Sequence, residues 1–265
     1  MAIVTLTTDW GTKDHYLGSV KGILLKQIPD INIVDISHNI PPFDINQAAY
    51  VLKSCYRDFP DGTIHLIGVN SDASPKFPHV AIKIENQYFI GADNGIFSLI
   101  FDKKPDVIIA LEIIQETEKY TFSTKDVFAK ACQFIIEGKP IEELGYKRDE
   151  LTKMMSFIPA IETDNEGLIS IIGKVIYIDH YENTITNISK ELFYEQGKKR
   201  RFSISFNSFK NAITEISESY SDVNISEACA LFDSNDMLEI SVNQGNASSL
   251  LGLYRDTKIR ITFES

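Results

Sequence analysis

The sequence predicts an α/β protein with a mostly parallel N-terminal sheet and flanking helices, followed by a smaller C-terminal domain of antiparallel strands. Three observations lead there. Strand-like and helix-like segments alternate through the first half, the pattern of a largely parallel sheet covered on both faces. Beyond residue 168 the apolar runs become short and β-rich, as in a small barrel or sandwich. The chain has 265 residues, 43% hydrophobic and 24% charged, enough to bury a core without disulfide or metal staples.

Taken in order, Ile3–Thr7 is β-rich and apolar, and Gly11 marks the turn after it. Leu17, Val20, Ile23 and Leu24 fall at helical spacing within Tyr16–Gln27. Ile31–Ile36 is β-branched, and Ile45–Cys55 is helical. Thr63–Val69, Val80–Ile84, Tyr88–Ile90 and Val107–Leu111 read as strands, and Asp126–Glu137 as a helix. Lys153–Glu166, with Pro159, reads as a loop. A domain boundary is placed between about 157 and 168, giving domains 1–157 and 168–265. The second contains strands at Leu168–Ile178, Arg201–Phe206, Met237–Val242 and Lys258–Phe263. The basic run Lys198–Arg201 reads as a solvated hairpin face.

Charge and composition exclude several classes. Lys plus Arg number 26 against 37 Asp plus Glu, a formal charge of −11, whereas a nucleic-acid backbone binder needs a basic face. No apolar run approaches the roughly 20 residues of a membrane span. The N-terminus lacks the basic and apolar regions of a signal peptide. Cys55, Cys132 and Cys229 are few, far apart and without a CxxC pair; they are expected to be reduced thiols of a cytoplasmic protein. No metal site is expected.

Five polar blocks stand out. Thr8–Asp14 lies where a strand gives way to a helix; Asp9 can hold a vicinal diol there, or cap the helix. Ser37–Asp44 is stiffened by Pro41 and Pro42; its His38 can act as a base or as a structural hydrogen-bonder, and its Phe43 can line a pocket or the core. Gly91–Ile96 carries the turn pair Asn94-Gly95. Ile178–Ile188 is dense in short polar groups that suit a purine edge or Asx turns. Phe232–Asp236 is followed by Glu239–Ala247, in which Gly245 leaves room for a flat ligand. There is no GxGxxG and no P-loop motif.

In this order and spacing the blocks resemble the family of S-adenosylmethionine (SAM) hydroxide adenosyltransferases and SAM-dependent halogenases. The resemblance rests on Asp9–Gly22, Asp35–Asp44, Ala92–Gly95, Phe122–Phe128, Ile178–Asn187 and Asp233–Ala247. It implies an N-terminal α/β domain, a smaller C-terminal β-barrel, and a homotrimer in which SAM lies between the N-terminal domain of one subunit and the C-terminal domain of the next. It further implies that Asp9 holds the ribose hydroxyls, that Phe43 and Phe122 line the pocket, and that Asp179 pairs with the methionine ammonium. Asn183 and the backbone near Asn246 and Ala247 would read the adenine edge, with Tyr220 against its face. Ser234 would meet the methionine carboxylate, with Asn235 where the halogenases carry an Arg.

The water-handling groups depart from the family pattern. Asn70 stands where the hydrolytic members carry an Asp, Lys76 or Phe77 where they carry an Arg, and Ser123 where they carry a His. Asp72, Lys76 and His79 either rebuild an acid–base set or belong to a surface loop; Ser123 and Thr124 bring hydroxyls to the same region. The expected reaction is substitution at the ribose C5′ by water, giving adenosine and L-methionine, with SAM as substrate and no cofactor. The alternatives are a SAM or adenosine binding protein without rapid turnover, and transfer to a halide or other small nucleophile.

Overall fold

The computed structural model describes residues 2–113, 122, 124–155, 157–165, 167–207 and 212–264. The chain divides into two compact units, Met1–Met155 and Ser156–Ser265.

In the first unit β1 (Ala2–Thr8), α1 (His15–Gln27), β2 (Ile31–Ser37), α2 (Ile45–Lys53) and β3 (Ile64–Gly68) alternate as expected. They are followed by β4 (His79–Ile84), β5 (Gln87–Ala92), α3 (Ile96–Ile100), β6 (Val107–Leu111), α4 (Ala129–Ile136) and β7 (Gly145–Lys147). The sheet order is β2-β1-β3-β5-β4-β6-β7. The four strands from β2 to β5 are parallel, and β4 and β7 run against their neighbours. The reversal at β4 comes from a two-residue hairpin turn in which Glu85 and Asn86 both have positive φ, the geometry that matches strand twist.

Neighbouring residues of the central strands face opposite cores. Leu66, Ala81, Ile90 and Ile109 pack with α1 and α4, whereas Ile67, Ile82, Phe89 and Ile108 pack with α2 and α3. Burial on both faces explains the near-continuous apolar strands. One polar network crosses this interior. Gln87 donates its amide N–H to Phe59 O and turns its Oε1 to His65 Nε2 at 2.9 Å, and the Thr5 hydroxyl lies 2.7 Å from His65 Nδ1. The helix expected at Asp126–Glu137 starts as a π-helical turn, Thr124–Phe128, before α4.

The second unit contains β8 (Ala160–Thr163), β9 (Ile169–Ile178), β10 (Thr184–Ser189), α5 (Lys190–Gly197), β11 (Phe202–Phe206), β12 (Ala228–Phe232), β13 (Met237–Val242), α6 (Ala247–Leu251) and β14 (Lys258–Phe263). All its strand pairs are antiparallel, in the order β11-β14-β9-β10-β13-β12, with β8 also on β9. The sheet curls into a half-barrel because β9 changes partner. Its residues 169–174 pair with β14 and residues 175–178 with β10. At the bend, a Cβ on Gly173 would lie 2.4 Å from Ile188 Cγ1, so only glycine lets β10 come this close. Ile171, Ile188, Phe193, Ile204, Ile240, Ile261 and Phe263 fill the interior.

Two local expectations are corrected. Lys153–Glu166 is not wholly loop: Ala160–Thr163 pairs with β9 as an exposed edge strand, disguised in the sequence by Pro159 and its polar flanks. The basic run is not a hairpin face. Lys198 caps α5 in the left-handed conformation, and the Arg200 guanidinium donates to the Gln196 and Gly197 carbonyls, satisfying helix-end acceptors.

Candidate functional site

The first group of site residues gathers at the carboxyl ends of β2, β1, β3 and β5, where open α/β sheets place ligands. Asp9 follows β1. Its Oδ2 accepts the backbone N–H of Phe43 at 2.9 Å and of Asn70 at 3.2 Å; Oδ1 has no hydrogen bond from the described residues. One oxygen therefore fixes the carboxylate, and the other remains an acceptor for a diol. Asp9 does not cap α1, whose N-cap position is Asp14. Phe43 is held at φ 66° with its ring 71% exposed, a strained conformation for a bulky residue that the bond to Asp9 secures.

The loop after β3 is tied from two sides. Asn94 donates its side-chain amide to the carbonyls of Val69 (3.3 Å) and Asn70 (2.9 Å). His79 Nε2 donates to Ser71 O at 2.8 Å, and burial holds the imidazole below its ordinary pKa. The Ser71 hydroxyl lies 3.0 Å from that of buried Thr124. Asn70, Asp72 and Lys76 are exposed, and the Lys76 ammonium lies over the Phe77 ring. Asn70, Ser71 and Thr124 thus come together beside Asp9, and the Asp72 carboxylate acts on the buried His79 imidazole through its charge. Ser123 lies outside the described residues. Phe122 packs edge-on against Trp10 and Tyr16. A Cβ on Gly68 would lie 2.3 Å from the Trp10 ring, so the indole rests on bare backbone at the end of β3. His38 is buried, with Nδ1 2.8 Å from the Thr8 hydroxyl and Nε2 3.0 Å from Asp35 Oδ1. The imidazole is thus fixed between a carboxylate and a hydroxyl.

The second group lies in the C-terminal unit. Asp179 Oδ1 accepts the backbone N–H of Tyr181 and Asn183, and Oδ2 accepts the Asn183 amide. This Asx turn is bolted to α6. Glu182 accepts from the Ser249 N–H and hydroxyl and from the Asn246 side chain, and its carbonyl accepts the Ser248 N–H at 2.9 Å. Asn183 is thereby brought to the segment of exposed Asn246 and buried Ala247. Gly245 serves this turn rather than a ligand: a Cβ there would lie 2.7 Å from Val242 Cγ1. Ser234 and Asn235 are exposed on a turn closed by Asp233 Oδ1, which accepts the N–H of Asn235 and Met237. Tyr220 donates its hydroxyl to buried Glu239 at 3.0 Å. Burial raises the Glu239 carboxyl, with Asp179 and Asp233 adding to it, and burial with Glu239 raises the Cys229 thiol to about 11. A cleft of about 580 Å³ between residues 212–217 and 222–229 is lined by none of the expected site residues.

Sequence reading passed over Ser71, Asn94, Glu182 and Glu239. Asn94 and Glu182 looked like turn residues, and only long-range contacts give them their roles. Glu239 could have been noticed as a charge inside an apolar strand.

Among the described residues no helix is long and apolar enough to cross a membrane, and no cluster of three or more His, Cys, Asp or Glu could hold a metal ion.

Comparison with known proteins places these two groups in one family. The pattern of the SAM hydroxide adenosyltransferase N-terminal domain matches residues 4–145, and that of its C-terminal domain residues 173–260. The chain is 32% identical to the (R)-S-adenosyl-L-methionine hydrolase of Methanocaldococcus jannaschii, over 98% of this chain and 96% of that protein. It is 24% identical to the fluorinase of Nocardia brasiliensis over 71% of each. The crystal structure of an uncharacterized conserved protein from Thermotoga maritima superimposes with a TM-score of 0.86 at 28% identity, covering 98% of this chain and 99% of that one. With both domain patterns matched in order, and the Asp9 and Asp179 turns in the corresponding halves, the chain belongs to the SAM hydroxide adenosyltransferase family.

Proposed function

We propose that this protein binds SAM and transfers its adenosyl group to water, releasing adenosine and L-methionine. The observation that carries the reading is the near full-length match, across both units, to a relative named as an (R)-SAM hydrolase. The Asp9 carboxylate, anchored through one oxygen and open at the other, supports it.

The sulfonium makes C5′ an electrophile with a neutral thioether as leaving group. Water attacks C5′, the C5′–S bond breaks with its electron pair going to sulfur, and the attacking water loses one proton to solvent. No cofactor is required. The protein's task is to align water opposite sulfur and to exclude competing solvent. Asp9 accepts from the two ribose hydroxyls. Asn183 and the backbone at Asn246 and Ala247 meet the adenine edge, with Tyr220 on its face and Phe43 and Phe122 as apolar walls. Asp179 pairs with the ammonium, and Ser234 and Asn235 meet the carboxylate. Asn70, Ser71 and Thr124 orient the water.

The finer reading is a cytoplasmic homotrimer whose neighbouring subunits complete each other's sites. Exposed Phe157, Ile158, Leu250 and Tyr254 support an assembly, because apolar patches on a surface mark contacts. Light scattering tests it: a trimer is expected, and a monomer contradicts it.

Activity is tested by incubating the protein with each sulfonium epimer of SAM, with and without chloride, and following products by chromatography. Equal amounts of adenosine and methionine are expected. A 5′-chlorinated nucleoside would transfer the reading to a halide nucleophile, whose needs the Ser71–Thr124 hydroxyls could also meet. SAM binding without turnover would identify a binding protein.

A further inference from the structure

Glu239 is expensive where it stands. It is 4% exposed on β13, between β10 and β12, opposite Ile185 on one side and Leu231 on the other. No Lys, Arg or His among the described residues forms an ion pair with it. Its hydrogen bonds come from two hydroxyls, Tyr220 Oη at 3.0 Å and Ser241 Oγ at 2.5 Å, and both go to Oε1. A buried carboxylate without a cation costs stability, and an apolar residue of similar volume is often better tolerated at such a position. The fold alone therefore gives no reason for a glutamate here.

The reason lies at the other end of the bond. Tyr220 begins a short 3₁₀ turn, Tyr220–Asp222, and its side chain is 43% exposed. The turn is rigid: Ser219 Oγ accepts from Ser221 N–H, and Asp222 Oδ2 accepts the N–H of Glu218 and Ser219. Backbone and hydroxyl are thus both fixed. A partly exposed aromatic ring, immobilised before any ligand arrives, is what a stacked planar ligand needs, since a free ring would lose rotamer entropy on binding.

We propose that Glu239 is a positioning residue which, by accepting the Tyr220 hydroxyl, holds that ring as a preorganised platform for the substrate's adenine. This rests on the SAM-binding reading above and assigns a residue to it. Glu239 touches no substrate; it acts through Tyr220. Adenine contacts distinguish bound from free substrate but not ground state from transition state. The effect therefore falls on Kd and KM, with kcat little changed.

The test uses the full-length protein and SAM as probe, with Kd from calorimetry and KM and kcat from adenosine release. Tyr220→Phe alters a partly exposed group and leaves the core intact. It is expected to weaken SAM binding roughly fivefold to tenfold, the loss of about one hydrogen bond's worth of preorganisation. Glu239→Ala should weaken it about as much, and the double variant no more than either alone, because both break the same link. Glu239→Gln keeps an acceptor for the phenol and should restore Kd to within about twofold of the parent. Thermal melts verify that each variant is folded. Equal losses for Gln and Ala in folded proteins would make charge, not ring placement, the cause and overturn the proposal; additive losses would overturn it too. If the parent protein turns over SAM and neither Tyr220→Phe nor Glu239→Ala changes Kd, only the role of Glu239 falls. If the parent neither binds nor consumes SAM, the functional reading fails and this inference with it.

Discussion

Asn70 donates its backbone N–H to Asp9 Oδ2 at 3.2 Å, joining the ends of β3 and β1 through one carboxylate oxygen. Phe43, from the loop after β2, donates to the same oxygen. Three strand ends thus converge on a single atom, and the other oxygen of Asp9 is presented at their junction. The site is assembled from backbone amides, which explains how it tolerates an asparagine at position 70.

Asp9→Ala removes both the loop anchor and the diol acceptor. Each charge-assisted hydrogen bond contributes about 1.5–3 kcal/mol, so SAM affinity should fall by a factor on the order of 10² or more. Asp9→Asn keeps an acceptor for the two amides and should fall in between. Calorimetric titration with SAM measures both; unchanged affinity would remove Asp9 from the site.

Gly68→Ala places a methyl group where the Trp10 indole lies, 2.3 Å from the nearest ring carbon. The ring must move, and Asp9 precedes it in the chain. Weaker SAM binding and a shifted emission maximum are expected. Trp10 is the single tryptophan of the sequence, so fluorescence reports this displacement directly.

Ser71→Ala and Thr124→Val each remove one hydroxyl of the pair beside Asn70. If these hydroxyls orient the attacking water, kcat should fall on the order of 10², with SAM affinity nearly unchanged. Single-turnover adenosine formation separates the two effects. An unaltered rate would place the water elsewhere.

Burial lowers the pKa of His65 from 6.5 to about 4. The folded state therefore resists a proton that the unfolded chain accepts. The stability due to the neutral ring is complete above pH 6.5 and is lost as pH falls from there toward 4, by about 3 kcal/mol. His79 shifts in the same direction. Urea unfolding between pH 7 and 4 should show this slope, and His65→Gln should flatten it.

The strands and main helices were legible because their apolar residues keep a single period, as in Ile31–Ile36 and Tyr16–Gln27. The position of Asp9 at the end of β1 was legible because it sits between a β-rich run and Gly11. The Glu85-Asn86 hairpin was not, since its positive φ angles fall on residues that carry no glycine signal. Nor was the link from Glu182 to Ser249, 67 residues apart, which no local pattern encodes. Gly245 misled because a glycine that accommodates Val242 reads the same as one that accommodates a ligand.

Replacement of sulfur by a water oxygen at C5′ is read at the atom itself by isotope labelling. Adenosine formed from SAM in ¹⁸O-enriched water should carry the heavy oxygen on its 5′ carbon, detected by mass spectrometry of the ribose fragment. Adenosine produced without the label at that position would mean that water is not the nucleophile.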